Sequence, residues 1–180
     1  MKGQDPFESA RRRFRPDHIK ILFVAEAPPP SASQRFFYFL HVQRGDTLFL
    51  EMMKVLYPAE FVSAQAARQR KEEFLRRFKR DGFYLIDACR VPLRKGALPS
   101  EKKRALRDNL PFLAKTLKDL SRSLDSRTRA ILISKPVYEV CSSQHPGVNV
   151  INREMIDFPA TGSQKKFRRK LRRLIENIKN

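Results

Sequence analysis

Three segments of the sequence carry side chains that could do chemistry, and each follows an apolar run typical of a buried strand. They are Glu26–Ser33, which holds three consecutive prolines, Asp87–Gly96 and Asp157–Gln164. Carboxylates such as Glu26 and Asp87, at the ends of strands, can orient water or stabilise positive charge that develops in a substrate. All three segments are rich in proline, small residues and charge, so they are predicted to be loops that share one site.

Four apolar runs are predicted to be the strands that position these loops: residues 19–26, 82–89, 129–134 and 148–152. Unbroken apolar runs are typical of strands buried on both faces, as in parallel sheets. Strands that alternate with helices predict an α/β fold, a three-layer α/β/α sandwich around a mainly parallel sheet of about four strands. In such sheets the binding crevice lies beyond the carboxyl ends of the strands, where all three loops fall.

The helical pattern is strongest in the last segment, where an apolar stripe of period 3.6 lies opposite a run of Lys and Arg. Asp46 is expected to be the N-cap of its helix. Residues 1–17 are predicted to be a basic N-terminal arm or short helix, and residues 18–180 a single domain of ordinary size. The predicted helices begin at about residue 33 and then cover residues 46–56, 64–80, 100–121, 136–142 and 164–178.

Charge is the most informative feature of the composition. The chain has 38 Lys and Arg against 19 Asp and Glu, a formal net charge of +19. A field of this size attracts polyanions, of which phosphate backbones are the commonest, so a nucleic-acid partner is predicted. General solubility is the simpler explanation of such charge, and composition alone does not separate DNA from RNA or from an anionic membrane.

Several classes of protein are disfavoured by what the sequence lacks. No apolar run approaches the roughly 20 residues that cross a bilayer, and the N-terminal residues lack the apolar core of a secretory signal, so a cytoplasmic protein is expected. Two cysteines and three scattered histidines have no metal-ligand spacing. We therefore expect no metal, no iron–sulfur cluster, no organic cofactor and no membrane partner, and a monomer.

The three loops resemble, in the same order, motifs of the uracil-DNA glycosylase superfamily. Residues 24–30, VAEAPPP, are similar to a Gly-Glu-Ala-Pro-Gly motif, with residues 34–37, QRFF, similar to the segment that presents a stacking ring. Residues 84–92, YLIDACRVP, resemble a strand that ends in a base-reading Asn before Cys-Arg-Pro-Pro. Residues 158–162, FPATG, resemble a His-Pro-Ser loop that grips the DNA backbone. The resemblance covers roughly residues 19–176.

This resemblance implies a monofunctional DNA glycosylase, bound to DNA in the nucleoid, that flips an altered base and hydrolyses its N-glycosidic bond. Glu26 would orient water or stabilise the sugar cation, and Asp87 would read the base. Phe37, or else Phe36, would stack on the base, with Ala27 and Pro28 beside it. The implied DNA contacts are Arg90, Arg94, Lys95, Lys135, Pro159, Thr161, Gly162, Ser163 and Lys165.

Each of these residues also has an ordinary structural interpretation. Glu26 and Asp87 could be members of ion pairs, Phe36 and Phe37 could lie in the core, and Ser163 could cap the last helix. The basic residues could be solvated surface charge.

Two departures from the superfamily pattern bear on function. Asp87 replaces Asn, and since an ionised carboxylate only accepts hydrogen bonds, it would favour a base with an exocyclic amine unless it were protonated. Phe158 replaces His, which removes a group that would stabilise charge on the departing base. The alternatives are a catalytically inactive DNA- or RNA-binding module on the same fold, and an enzyme that acts on RNA or a component of a ribonucleoprotein.

Overall fold

The computed structural model describes residues 5–30, 33–142 and 148–179, and these form an α/β sandwich around one sheet. The strands are β1 (Ile21–Ala25), β2 (Phe83–Asp87), β3 (Arg129–Leu132) and β4 (Asn149–Val150). All pair in parallel, in the order β2-β1-β3-β4. The predicted fold class, a mainly parallel sheet of about four strands between helices, is confirmed.

The strand β4 is two residues long, shorter than the predicted run of residues 148–152. The cause is the side chain of Asn152, which takes over the pairing with β3. Its Oδ1 accepts a hydrogen bond from the Leu132 amide at 3.0 Å and its Nδ2 donates to the Leu132 carbonyl at 3.2 Å. A side-chain amide thus replaces the backbone ladder at this point, and the chain returns to β3 through an isolated bridge between Ile133 and Ile156.

Helices cover both faces of the sheet. They are α1 (Pro6–Arg13), α2 (Thr47–Leu56), α3 (Ala64–Gln69), α4 (Lys71–Arg80), α5 (Pro99–Asp108), α6 (Leu110–Asp119), α7 (Lys135–Cys141) and α8 (Gln164–Lys179). On one face α2 packs against α8, and Phe78 of α4 lies 5.9 Å from Phe23 of β1, between ring centroids. On the other face α5 packs against α7, and α6 follows α5 directly.

The helix predicted from about Ser33 is wrong, since the described chain has no α-helix between there and Asp46. Gln34 has φ of +52°, which a right-handed helix does not allow. The segment instead protects the open edge of β2. The Tyr38 hydroxyl accepts a hydrogen bond from the Leu85 amide at 2.7 Å and donates to the Leu85 carbonyl at 3.1 Å. The edge strand therefore has a side-chain partner where a fifth strand could otherwise pair.

Two long predicted helices are each divided in two. The predicted helix over 64–80 breaks at Arg70, where φ is −102° and ψ is +22°. The one over 100–121 breaks at Asn109, because Pro111 has no amide to donate and its ring would clash with the preceding turn. That helix begins at Pro99, one residue before the predicted start, and Glu101 accepts a hydrogen bond from the Leu98 amide at 2.6 Å.

Asp46 precedes α2 as predicted, but its side chain makes no capping hydrogen bond. It is buried, with Oδ1 2.7 Å from an Arg68 nitrogen and Oδ2 3.6 Å from Nζ of Lys71. The predicted capping role is therefore wrong, because the Asp46 carboxylate forms ion pairs inside the fold instead of accepting a hydrogen bond from the first turn of α2.

The described part of the N-terminal segment is attached to the core. The Asp5 side chain caps α1 by accepting from the Phe7 amide at 3.0 Å, and Phe7 and Phe14 are buried. The Phe7 ring lies 4.9 Å from the Phe36 ring. Within the described residues, no helix is long and apolar enough to cross a membrane, and no group of His, Cys, Asp and Glu has a metal-binding arrangement.

Candidate functional site

The three predicted loops meet where the strands end, which we call the carboxyl edge. The first two loops are joined by backbone hydrogen bonds, because the Cys89 amide donates to the Glu26 carbonyl at 3.0 Å. The third loop begins after Ile156, whose carbonyl accepts from the Ser134 amide at 2.8 Å, directly beyond β3. The chain leaves β1 toward β2 on one side, and β3 lies on the other. Such a reversal of strand order is where parallel α/β sheets bind ligands.

Glu26 lies directly after β1 with 13% of its side chain exposed. Its partner is Lys102 of α5, whose Nζ lies 3.1 Å from Oε1 and 3.5 Å from Oε2. The carboxylate is thus held in an ion pair at the carboxyl edge, close to solvent. The sequence offered no signal for Lys102, which lies 76 residues further along the chain.

Asp87, the last residue of β2, is more deeply buried, with 5% of its side chain exposed. A guanidinium nitrogen of Arg11 lies 2.8 Å from its Oδ2. Burial raises the pKa of Asp87, although the nearby charge of Arg11 opposes the shift. Arg11 also binds Glu8 at 2.9 Å and lies over the Phe36 ring, 5.3 Å from its centroid. Asp87 is therefore one member of a buried ion pair.

The rings of Phe36 and Phe37 belong to the core. Phe36 is 1% exposed and Phe37 is 5% exposed. The Phe37 ring lies 5.7 Å from that of Phe49 and 5.4 Å from that of Phe78, between centroids. Neither ring presents an open face on which a base could stack in this conformation.

A cavity of about 850 Å³ lies between α1, α6 and β2, and neither Glu26 nor Asp87 lines it. It reaches the carboxyl edge at Pro28, Cys89 and Arg90. Arg11 lines this cavity, so the member of the Arg11–Asp87 ion pair that faces the cavity is the guanidinium, a hydrogen-bond donor. The remaining lining residues are apolar (Phe7, Tyr84, Ile86, Pro111, Phe112 and Leu120), charged (Asp5, Glu8, Arg12, Arg15, Lys115 and Asp119) or polar and uncharged (Asn109 and Thr116).

Cys89 is the one thiol in this wall. Burial, together with the charges of Glu26 and Asp87, raises the pKa of Cys89 to about 12. Since the thiolate is the nucleophilic form, this cysteine is chemically inert at neutral pH.

The predicted DNA-contacting residues are mostly exposed around the same edge. Arg90 and Lys95 have no ion pair within the described residues, while Arg94 binds Glu101 at 2.9 Å and Lys135 lies 3.9 Å from Glu139. In the third loop Pro159 is buried, Ser163 is half-buried and directly precedes α8, and the exposed residues are Thr161, Gly162 and Lys165. Ala27 is half-buried in the first loop.

Positive φ values occur in the turns of the carboxyl edge at Gly96 (+75°), Gly162 and Ser134. Gly162 has φ of +85°, which glycine adopts without strain. Ser134, directly after β3, has φ of +90° and accepts a hydrogen bond from the Val137 amide at 3.4 Å. Such a conformation in a residue with a Cβ is uncommon and is found most often at functional sites. Sequence reasoning missed Ser134, as it missed Arg11 and Lys102, because nothing in the local pattern marks a residue's backbone angles or distant partners.

Comparison of the chain with models of known protein families, with curated proteins and with solved structures gave no match.

Proposed function

We propose that this protein is a monofunctional DNA glycosylase, which flips an altered base out of DNA and hydrolyses its N-glycosidic bond. The proposal is supported above all by one observation: Glu26, directly after β1, lies at the same carboxyl edge that a cavity of about 850 Å³ reaches at Pro28, Cys89 and Arg90. That volume is ample for a nucleobase, and cavities of this size are typical of small-molecule sites. In this proposal the protein is a monomer that acts on DNA in the cytoplasm.

In this proposal Glu26 is the catalytic residue. As the bond between C1′ and the base nitrogen breaks, its electron pair leaves with the base and positive charge develops on the sugar. The Glu26 carboxylate stabilises that charge and orients a water molecule, whose oxygen then bonds to C1′ while its proton passes to the departing base. Lys102 holds the carboxylate in position in the absence of DNA.

In this proposal Arg11 contacts the edge of the base, and Asp87 holds Arg11 in position. Because Arg11 lines the cavity and binds Asp87 at 2.8 Å, a base in the cavity meets guanidinium N–H donors. These favour a base edge that carries carbonyl oxygens, the reverse of the preference expected from a free carboxylate. Phe112, which lines the same cavity, takes the stacking role predicted for Phe37.

The test is a screen for abasic sites by alkaline cleavage of labelled oligonucleotides that carry uracil, hypoxanthine, xanthine or modified cytosines. Wild-type protein should release at least one of these bases, and Glu26→Gln should slow release by about 100-fold or more while DNA affinity is retained, as for loss of a general acid–base group. Glu139→Gln is the matched control, since Glu139 is also ion-paired on the cavity-bearing face but lies on α7. It should release the base at the wild-type rate.

A second candidate is DNA or RNA binding without catalysis. It is favoured by the ion pairs that occupy both carboxylates and by the burial of Phe36 and Phe37 in the core. If wild type and Glu26→Gln were equally inert on the whole panel yet bound the oligonucleotides equally well, this binding function would replace the glycosylase.

A further inference from the structure

The exposed side of α8 carries five cations in a single stripe, which we call the α8 basic face: Lys165, Lys166, Arg169, Arg172 and Arg173. Their spacing of i, i+1, i+4, i+7 and i+8 places them on one side of the helix. At a rise of about 1.5 Å per residue the stripe is roughly 12 Å long. Its first residue follows the third loop directly, so the stripe continues from the carboxyl edge.

These five cations have no ion pair within the part of the chain that is described. The other basic side chains of α8 that are described point inward: Arg168 binds Glu51, and Lys170 lies 3.3 Å from Asp157. Some other surface cations of the chain are paired, as on α4, where Arg76 binds Glu72 at 2.8 Å. The α8 basic face therefore holds like charges at neighbouring positions, and Glu176, one turn beyond Arg172, forms no ion pair with them within the described residues.

The apolar side of α8, opposite the basic face, is buried in the core of the protein. Phe167 and Leu171 are 0% exposed and Ile175 is 6% exposed, and α8 packs against α2. A basic amphipathic helix binds a membrane by burying its apolar side among lipids, and that side is already occupied here. The partner of this surface is thus a polyanion that binds through charge alone.

We infer that the α8 basic face binds the phosphate backbone of duplex DNA, as an extension of the carboxyl edge along the first turns of α8. A duplex presents one phosphate charge per about 1.7 Å of its axis, so several phosphates lie within reach of a 12 Å stripe. The choice of DNA over RNA rests on the proposed function, whereas the charge complementarity does not. Contact with phosphates alone carries no sequence information, so this surface holds and orients the duplex.

The experiment measures the affinity for an undamaged, fluorescently labelled DNA duplex as a function of salt concentration. The variant Arg169→Gln/Arg172→Gln/Arg173→Gln removes three cations from the stripe with residues that favour helix. Each lost phosphate contact should reduce the slope of log affinity against log salt by about 0.9, so we expect a reduction of about 2.7 and roughly 100-fold weaker binding near 0.15 M salt.

The matched control, Arg107→Gln/Lys118→Gln/Arg122→Gln, removes the same charge from exposed positions on the opposite side of the sheet. It should change the slope by less than about 1. Circular dichroism and thermal unfolding establish that both variants are folded.

The inference is overturned if the α8 variant has the slope and affinity of the control. It is also overturned if an RNA duplex of the same sequence, or vesicles containing phosphatidylserine, bind more tightly than the DNA duplex and lose that binding in the α8 variant. Because the duplex holds no altered base, the binding result does not depend on whether the protein releases a base. If the α8 variant binds like the control, the glycosylase proposal is still decided by the abasic-site screen.

Discussion

The buried ion pair between Arg11 and Asp87 makes a quantitative prediction for the substitution Asp87→Asn. The carboxylate is 5% exposed and the guanidinium 10%, so the substitution leaves a charge with little access to water. Removing one partner of such a pair costs about 3–5 kcal/mol. Arg11 keeps a second carboxylate, Glu8, at 2.9 Å, but Glu8 is 42% exposed and compensates only in part. We therefore expect a loss at the lower end, about 3 kcal/mol.

In a domain of this size each kcal/mol lowers the melting temperature by about 2–4 °C, so Asp87→Asn should melt about 6–12 °C below wild type. The assays are thermal unfolding for the melting temperature and urea unfolding for the free energy, both at pH 7 with circular dichroism as the probe, at low and at high salt. Salt should change the stability difference between wild type and Asp87→Asn little, because a buried ion pair is weakly screened. The control is Arg12→Met, which removes an exposed pair with Glu8 and should cost no more than about 1 kcal/mol.

An Asp87→Asn protein as stable as wild type would refute this reasoning. The charge of Arg11 would then not depend on Asp87 for its compensation.

Two further predictions concern buried groups. Burial lowers the pKa of Lys71 in the folded protein to about 8. Between about pH 8 and 10 the unfolded chain therefore binds more protons than the folded chain. The free energy of unfolding should rise with pH across that window. Urea unfolding at pH 7.5 and pH 10 should show this rise reduced in Lys71→Met, and parallel behaviour of the two proteins would contradict it. Phe37→Ala should lose about 3–5 kcal/mol because it empties part of the core, while Phe158→Ala, on a ring that is 39% exposed, should lose less than about 1 kcal/mol. Equal losses in thermal unfolding would mean that Phe37 is not a core residue.

The sequence was a good guide wherever one local pattern decides the structure. The apolar runs predicted the positions of β1, β2 and β3, since a strand buried on both faces must be apolar throughout. The alternation with helices predicted the parallel sheet, and the prolines and charges after each strand predicted the loops of the carboxyl edge. The predicted helix over residues 100–121 missed the break at Asn109, although Pro111 carried a signal for it, since proline cannot donate the helical hydrogen bond.

The sequence misled where a local pattern fits two structures. The run from Phe36 to Phe39 suits both a helix and an irregular core segment. The segment is irregular in the structure, where the Tyr38 hydroxyl bonds to the backbone of Leu85 at the open edge of β2. Asp46 suits a helix N-cap equally well, but the buried cations of Arg68 and Lys71 took its carboxylate.

The sequence by itself determined that this is a basic α/β protein whose charged loops follow its parallel strands. Only the tertiary structure decided which groups face one another at that edge. The partners of Asp87 and Glu26 each lie 76 residues away in the chain, and which cation meets which carboxylate depends on how the helices pack. Strands follow from hydrophobic patterning, which is local, whereas the electrostatics of a site arise from burial and distant contacts, which exist only once the chain has folded.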